Sequence, residues 1–240
     1  MCVIFFAYKI HPKFPLVLLA NRDEFYDRPT EKAQNWADFP NIFAGKDLVG
    51  GGTWLGLNNS GRFAAVTNYR QPNAPKGIHS RGNLTADFLK TDESAEDYLK
   101  KIEAQKDRFS GFNLIVGEIN ERKNELFYFS NRGEDIKKLD SGIFGLSNHL
   151  LDTPWQKVEK GKHFLSENLN EEFSKDVYFQ LLNDKTLADD KDLPDTGIGY
   201  EREKLLSAIF IETPIYGTRC SSVLTFDNEF NVEFEERVFV

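Results

Sequence analysis

The fold is decided by two apolar runs near the start of the sequence, Cys2-Val-Ile-Phe-Phe-Ala-Tyr8 and Leu16-Val-Leu-Leu-Ala20. Both runs are apolar on consecutive residues rather than on alternate ones, which is typical of strands covered on both faces. The connection between them, His11-Pro-Lys-Phe-Pro15, contains prolines that cannot donate to a strand ladder. We therefore predict a hairpin inside a sheet that has a further layer on each side.

Strand and helix signals continue along the chain. Further strands are predicted at 53–57, 62–67, 112–119, 125–129, 143–146, 217–226 and 232–240. Helices are predicted after a cap at Ser94, from Thr153-Pro-Trp-Gln156 with Thr153 as the cap, along the stripe Phe173, Val177 and Leu181, and at 204–210. The order predicts an α+β fold, a four-layer αββα sandwich of two antiparallel sheets, as one domain over residues 1–240.

Composition and charge exclude several classes of function. The chain has 240 residues and a formal net charge of −8, which disfavours binding to nucleic acid. Its longest apolar runs are too short to span a membrane, and no basic segment precedes the first one, so we expect a cytoplasmic protein without a membrane span. Two cysteines and four scattered histidines give no disulfide framework and no metal site, and we expect no cofactor.

Cys2 is the first candidate for chemistry. If the initiator methionine is removed, this residue carries both a thiol and a free α-amine. The amine has a reference pKa of about 8, so it can accept the thiol proton at neutral pH. The alternative is a small residue that starts a buried strand, since cysteine is often buried.

Other polar residues follow predicted strands. Asn21-Arg22-Asp23-Glu24 comes directly after the second apolar run, where a hairpin brings it beside Cys2, and an acidic group there could orient the α-amine. Asn68 ends a predicted strand, and Asn148 follows another; each amide could face an oxyanion. Arg219, in the strand 217–226, could hold a carboxylate. Each of these residues also has a structural interpretation, as a turn, cap or ion-pair residue.

Several segments together resemble a known family. They are Met-Cys-Val-Ile-Phe-Phe at the start, Ala-Asn-Arg-Asp-Glu-Phe-Tyr-Asp-Arg-Pro at 20–29, Gly-Gly-Gly-Thr-Trp-Leu-Gly at 50–56 and Tyr-Gly-Thr-Arg at 216–219. These segments resemble the NRDE family, the family of transport and Golgi organisation protein 2. The resemblance covers nearly the whole chain. Members of this family are associated with the handling of haem or lipids and with organisation of the secretory pathway.

A more distant resemblance implies a mechanism. The order of Cys2, Asn-x-Asp and the later asparagines and arginine is similar to the bile-salt hydrolase and penicillin V acylase group of N-terminal-nucleophile amidases. The resemblance implies that Cys2 is the nucleophile and that Asp23 holds its amine. It implies oxyanion contacts from Asn68 and Asn148 and a supporting role for Arg219. We predict substrate contacts from Asn21, Arg22, Trp54 and Tyr69.

One position departs from that group. An arginine commonly precedes Asn-x-Asp there, whereas this chain has Ala20. Arg22 is expected to project to the opposite side of the extended segment. Three interpretations therefore stay open. The first is a hydrolase or acyltransferase for an amide or thioester of a small or lipid-like acyl substrate, and the second is a non-catalytic module that binds haem or lipid. The third is a scaffold protein whose polar residues are structural. The oligomeric state cannot be inferred from the sequence.

Overall fold

The computed structural model describes residues 2–133, 135–169 and 174–240. Met1, whose removal would expose the Cys2 amine, and Phe173, predicted in a helical stripe, lie outside the described residues. Within these ranges the strands are β1 (Cys2–Tyr8), β2 (Leu16–Phe25), β3 (Thr30–Asn35), β4 (Ile42–Asp47), β5 (Leu55–Asn58), β6 (Arg62–Asn68), β7 (Phe112–Asn120), β8 (Lys123–Ser130), β9 (Lys137–Lys138), β10 (Gly142–Leu146), β11 (Tyr216–Phe226) and β12 (Val232–Val238). The α-helices of the same ranges are α1 (Gly82–Lys90), α2 (Ala95–Ala104), α3 (Gln156–Asn168), α4 (Lys175–Leu182) and α5 (Tyr200–Leu205).

The chain divides into two compact units. The first comprises Met1–Asp27, Arg70–Pro72 and Ser141–Val240, and the second comprises Arg28–Tyr69 and Asn73–Asp140. Each unit has its own antiparallel sheet and its own helices. The single domain over residues 1–240 stays a prediction.

The sheet of the first unit has five strands in the order β10-β1-β2-β11-β12. The apolar hairpin lies at its centre as predicted, with Ile4 opposite Ala20. Helices α3 and α4 cover the face of the sheet from which Val3, Phe5 and Leu19 project. Both central strands are buried along nearly their whole length, because neighbouring strands flank them and apolar side chains lie on both faces.

Strand β2 is longer than predicted. It runs to Phe25, so Asn21-Arg22-Asp23-Glu24 lies inside the strand rather than after it. The polar segment remains extended because β11 pairs with it as far as Phe25. Its side chains therefore alternate between the two faces of the sheet, which decides where each one can act.

The second unit contains a seven-stranded sheet in the order β3-β4-β5-β6-β7-β8-β9. Helices α1 and α2 pack against β5, β6, β7 and β8 around an apolar cluster that includes Phe88, Leu99 and Phe112. The sequence did not predict β3, β4, β9 or α1. Strand β3 is polar and mostly exposed, so it lacks the pattern of a buried strand, and α1 begins after Arg81 without a side-chain cap that would mark its start.

Two predicted helix boundaries were wrong. Helix α3 begins at Gln156 with Trp155 in the cap position, and Thr153 instead donates from Oγ1 to the Leu150 carbonyl at 2.8 Å. The last helix covers Tyr200–Leu205 rather than 204–210. The chain after it hydrogen-bonds to side chains of the first unit instead, which draws residues 206–211 out of helical geometry.

Candidate functional site

Cys2, Arg22 and Cys220 form a row across the first sheet. Cys2 begins β1 directly opposite Arg22 in β2, and Arg22 is in turn opposite Cys220 in β11. Directly opposed residues of antiparallel strands share a face, with Cβ atoms about 5 Å apart. The Arg22 side chain therefore starts between the two cysteines. The expectation that Arg22 projects away from the face of position 20 was wrong, because residues two apart in a strand lie on the same face.

The thiol of Cys2 is half-buried at the start of β1. Burial raises its pKa, and the positive charge of Arg22 opposes the rise. The thiol is therefore protonated at neutral pH, and nucleophilic attack requires a neighbouring base. Arg22 is itself buried, so its charge acts on the thiolate with little screening by solvent.

Asp23 lies on the opposite face of β2 from Arg22 and is only 2% exposed. Its Oδ1 accepts a hydrogen bond of 2.7 Å from Thr218 Oγ1, and its backbone carbonyl accepts one of 3.2 Å from the Tyr216 hydroxyl. Burial raises the pKa of the Asp23 carboxyl, and the positive charge of Lys157 and the Thr218 hydrogen bond oppose that rise. Asp23 is thus a buried acid whose charge depends on its neighbours.

Asn21 shares the face of Asp23 and is fully buried. Its Nδ2 donates to the carbonyls of Leu182 at 2.7 Å and Ile209 at 2.9 Å, and its Oδ1 accepts a bond of 2.6 Å from Ser221 Oγ. The amide thus binds the end of α4 and the chain after α5 to the sheet. Its predicted contact with substrate stays a prediction.

Asn148 lies at the same end of the sheet as Cys2. Strand β10 pairs with β1 so that Leu146 opposes Ile4, and Asn148 and Cys2 each lie two residues beyond that pair. Asn148 is buried, and its carbonyl accepts a 2.7 Å hydrogen bond from the Arg70 backbone N–H. The geometry gathers Asn148 with Cys2, Arg22 and Asp23, and its role towards an oxyanion stays a prediction.

Arg219 occupies an irregularity of β11, between Thr218, which opposes Asp23, and Cys220, which opposes Arg22. Its guanidinium donates from Nη1 to the Phe25 carbonyl at 3.0 Å and from Nη2 to the Val240 carbonyl at 3.2 Å. These contacts bind the ends of β2 and of the chain. The predicted support of catalysis by Arg219 stays a prediction.

Three further predicted site residues belong to the second unit. Asn68 ends β6 opposite Phe112. The Tyr69 backbone N–H donates to the Gly111 carbonyl at 2.9 Å. The Trp54 ring fills the space beside Gly45, where a Cβ would lie 2.2 Å from the ring. The roles of Asn68, Trp54 and Tyr69 stay predictions.

The sequence did not predict a role for Lys157. This residue of α3 is 5% exposed, and its Nζ donates to the carbonyls of Leu206 at 2.9 Å and Ala208 at 3.5 Å. Burial lowers the pKa of Lys157 to about 8, and the negative charge of Asp23 opposes the fall. A lysine among Gln156, Glu159 and Lys160 resembles any solvated helix residue, so no local signal could have revealed it.

Other features of the first unit bear on ligands. Arg70 and Glu203 form a buried ion pair, and with Lys157 and Trp155 they line a cavity of about 10 Å³, the size of one water molecule.

Within the described ranges, no cluster of three or more His, Cys, Asp and Glu side chains is arranged to hold a metal ion. In those same ranges, no helix combines the length and the apolar character that crossing a membrane requires.

Comparison with known proteins gives both a family and a fold. The family model described as Transport and Golgi organisation 2 matches residues 1–240. The relative from Homo sapiens named Transport and Golgi organization protein 2 homolog is 38% identical over 255 residues, which cover 99% of this chain and 92% of that protein.

Two solved hydrolases have a similar structure. The N-acylethanolamine-hydrolyzing acid amidase ortholog from Caenorhabditis elegans has a TM-score of 0.54 and 12% identity, covering 93% of this chain and 92% of that chain. A C2A mutant of the conjugated bile acid hydrolase from Clostridium perfringens has a TM-score of 0.50 and 9% identity, covering 100% and 97%. These similarities confirm the predicted fold class, an α+β sandwich fold with two antiparallel sheets.

Proposed function

This chain belongs to the Transport and Golgi organisation 2 family, and we propose that it hydrolyses or transfers the acyl group of an amide or thioester, with Cys2 as nucleophile. One observation carries the proposal: Cys2 opposes Arg22 in register, and the buried carboxyl of Asp23 follows in the same strand. A nucleophile, a charge that stabilises its thiolate and an acid that can hold its amine therefore meet at one end of one sheet. The fold shared with two solved hydrolases supports the same chemistry.

The first half of the reaction forms a thioester on Cys2. After removal of Met1, the α-amine of Cys2 takes the thiol proton, and the thiolate attacks the carbonyl carbon of the substrate. The carbonyl oxygen becomes an oxyanion, for which the Asn148 amide is our proposed donor. The tetrahedral intermediate then expels the amine or thiol leaving group, which takes the proton from the α-ammonium, and the acyl group remains on Cys2.

The second half releases the acyl group. A water molecule gives a proton to the α-amine and attacks the thioester, and the Cys2 sulfur leaves and regains that proton, so the products are a carboxylic acid and the free enzyme. An acceptor amine or alcohol in place of water would make the reaction an acyl transfer. Asp23, whose side chain lies on the opposite face of the sheet from the thiol, would hold the α-amine in both halves.

Matched cysteine variants test this proposal. The chain, with Met1 removal verified by intact mass, is incubated with long-chain N-acylethanolamines, aryl acyl amides and acyl-CoA thioesters. We expect Cys2→Ala to lower turnover about 1,000-fold or more. Cys220→Ala, the other cysteine of the same row, should keep turnover within a few-fold. An acyl adduct on Cys2 after acid quenching would support the proposal, and turnover that is unchanged by Cys2→Ala would refute it.

A non-catalytic function is the second candidate. Ala20, where the resemblance implies an arginine, favours a site that binds without reacting. Its ligand would be haem or a lipid-like acyl compound such as acyl-CoA. A saturable one-to-one complex that survives Cys2→Ala, together with no turnover by the unaltered chain, would favour this function. Titrations without saturation would exclude it for those ligands.

A further inference from the structure

The chain after α5 lies against the face of the first sheet on which Asp23 is buried. We refer to residues 206–211 as the wall segment. Its carbonyls accept from Lys157 Nζ at 2.9 and 3.5 Å and from Asn21 Nδ2 at 2.9 Å, and its last backbone N–H donates to Thr218 Oγ1 at 2.9 Å. The wall segment is therefore held by side chains from α3, β2 and β11.

These contacts place Lys157 on the same side of the sheet as Asp23. Asn21 and Asp23 are two residues apart in β2 and share a face, and Asn21 reaches the wall segment on that face. Thr218 touches both the wall segment and Asp23, since its Oγ1 accepts from the former and donates to the latter. Lys157 and Asp23 are consequently close enough for their charges to interact.

The hydrogen bonds of Lys157 constrain its protonation. A neutral amine has two N–H donors, which is the number that the two wall-segment carbonyls accept, and an ammonium has three. The third N–H and the positive charge of the Lys157 ammonium are therefore stabilised by a negative charge nearby, and not by the two wall-segment carbonyls alone. A buried carboxyl likewise needs a positive neighbour, because without one it takes up a proton.

We propose that Lys157 is a positioning residue that keeps Asp23 ionised, so that Asp23 can hold and orient the α-amine of Cys2. The effect on catalysis rests on the proposed function. The interaction of Lys157 with Asp23 is a property of the folded chain and can be measured without a substrate.

Among the charges around Lys157, that of Asp23 has the largest effect on the pKa of Lys157. The titratable and charged groups that face it are Cys2 from β1, Asp23 from β2, Arg70, Glu203 from α5, Lys160 from its own helix, Asp184 and the exposed Asp192. Arg70 pairs with Glu203, and Lys160 pairs with Asp184. Each of these pairs is neutral as a whole, so the carboxylate of β2 is the charge that stabilises the ammonium of Lys157 most.

A consequence for pH dependence follows. Because burial holds the pKa of Lys157 at about 8, this residue loses its proton at mildly alkaline pH, where an ordinary lysine keeps it. Asp23 then loses one of the positive charges that stabilise its carboxylate. Any activity that needs an ionised Asp23 would therefore change near pH 8 through Lys157.

Carboxyl NMR tests the proposal directly. The chain is labelled with ¹³C at the aspartate carboxyls, and the Asp23 signal is identified by its loss in Asp23→Asn. In the unaltered chain we expect the acid transition of Asp23 and a second inflection of the same signal near pH 8. Lys157→Met should raise the acid midpoint by about one pH unit or more and abolish the inflection near pH 8. Lys160→Met, on the same helix, is the control and should change neither.

A conservative variant covers the case in which Lys157→Met does not fold. Lys157→Arg keeps the positive charge at every accessible pH, so the acid midpoint should stay within a few tenths of a unit while the inflection near pH 8 disappears. An unaltered acid midpoint in a folded Lys157→Met variant would overturn the proposal. So would a signal from the unaltered chain without an inflection near pH 8.

Turnover separates this inference from the proposed function. If the chain hydrolyses an acyl substrate, the acid limb of kcat/KM should move with the Asp23 midpoint in Lys157→Met and stay in place in Lys157→Arg. A shifted NMR midpoint without turnover of any substrate would uphold the coupling and reject the acyl chemistry. Turnover that depends on Cys2, with an unshifted midpoint, would reject the coupling and uphold the acyl chemistry.

Discussion

Two groups of buried charges, one in each unit, are held in different ways. In the second unit, Glu118 lies 3.2 Å from the Arg62 guanidinium and also accepts from the Ala95 backbone N–H at 2.8 Å. In the first unit, Asp23 accepts from a hydroxyl, and Lys157 donates to backbone carbonyls. Among the ion pairs of the described residues, none includes Lys157, so its charge and that of Asp23 interact at longer range.

The difference teaches which buried charges can change their protonation. Arg62 and Glu118 form a direct ion pair, and an arginine cannot lose its proton in a protein, so the positive charge of this pair is fixed. Burial pushes both Asp23 and Lys157 towards their neutral forms, and a lysine can reach that form. Variable protonation of this kind is typical of functional sites, although structural networks also produce it.

The largest expected effect comes from replacing each of the two buried carboxylates, Glu118 and Asp23, by its amide. Glu118→Gln leaves the Arg62 charge buried without its partner, and we expect it to lower the free energy of unfolding by about 3 kcal/mol or more. Asp23→Asn should lower it by less than about 1 kcal/mol, because Lys157 can release its proton, while turnover falls about 100-fold or more. Urea unfolding and kcat/KM measure both quantities. Equal losses of stability would contradict the distinction.

The next effect is the pH dependence of stability. The pKa of Lys157 is about 8 in the folded chain and higher when unfolded, so the unfolded state binds more protons between these values. Stability should therefore rise as the pH increases from about 8 to about 10.4, by up to about 3 kcal/mol relative to Lys157→Met. Urea titrations of both proteins across this range measure the difference. Parallel pH curves would rule out a buried lysine with a lowered pKa.

A smaller effect concerns the hydroxyl that binds Asp23. Thr218→Val removes the hydrogen bond to Asp23 Oδ1, which raises the pKa of that carboxyl further. We expect about a tenfold loss of kcat/KM at neutral pH and an acid limb moved to higher pH. Thr85→Val is the control in the second unit, since Thr85 Oγ1 donates only to backbone carbonyls of that unit. It should lower stability and leave the pH profile in place.

The smallest effect tests whether the distance between the charges or their exposure to solvent determines how much an ion pair stabilises the fold. Lys123 Nζ lies 3.2 Å from Glu118, but its side chain is 39% exposed. Lys123→Met should change the free energy of unfolding by less than about 1 kcal/mol, since exposed pairs are screened by solvent. A loss of unfolding free energy as large as that of Glu118→Gln would show that the contact with Lys123, rather than the one with Arg62, stabilises the buried Glu118 carboxylate.

Much of the first unit could be predicted from residue order. The consecutive apolar residues of β1 and β2 predicted the central hairpin, and the matching segments predicted the family and the fold. The length of β2 was not predictable, because Asn21-Arg22-Asp23 are poor strand formers and remain extended only through pairing with β11. That pairing involves residues almost 200 positions away in the sequence.

The charges around Asp23 could not be predicted for the same reason. Lys157 lies in a polar turn of α3, and its burial depends on residues distant in sequence, among them 206–211. Thr218 and Tyr216 belong to the family-like segment 216–219, in which a role in the site was predicted for Arg219 alone. Local sequence indicated a nucleophile and an acid, but their electrostatic surroundings depend on tertiary contacts.

The row of Cys2, Arg22 and Cys220 has a consequence for oxidative damage. The two cysteines are separated by two strand spacings, so their Cα atoms are about 10 Å apart, beyond the reach of a disulfide. A sulfenic acid formed on Cys2 by peroxide cannot be resolved by the other cysteine of the chain. Repair must come from a thiol outside the molecule, so the redox state of Cys2 would follow the thiol pool of its surroundings.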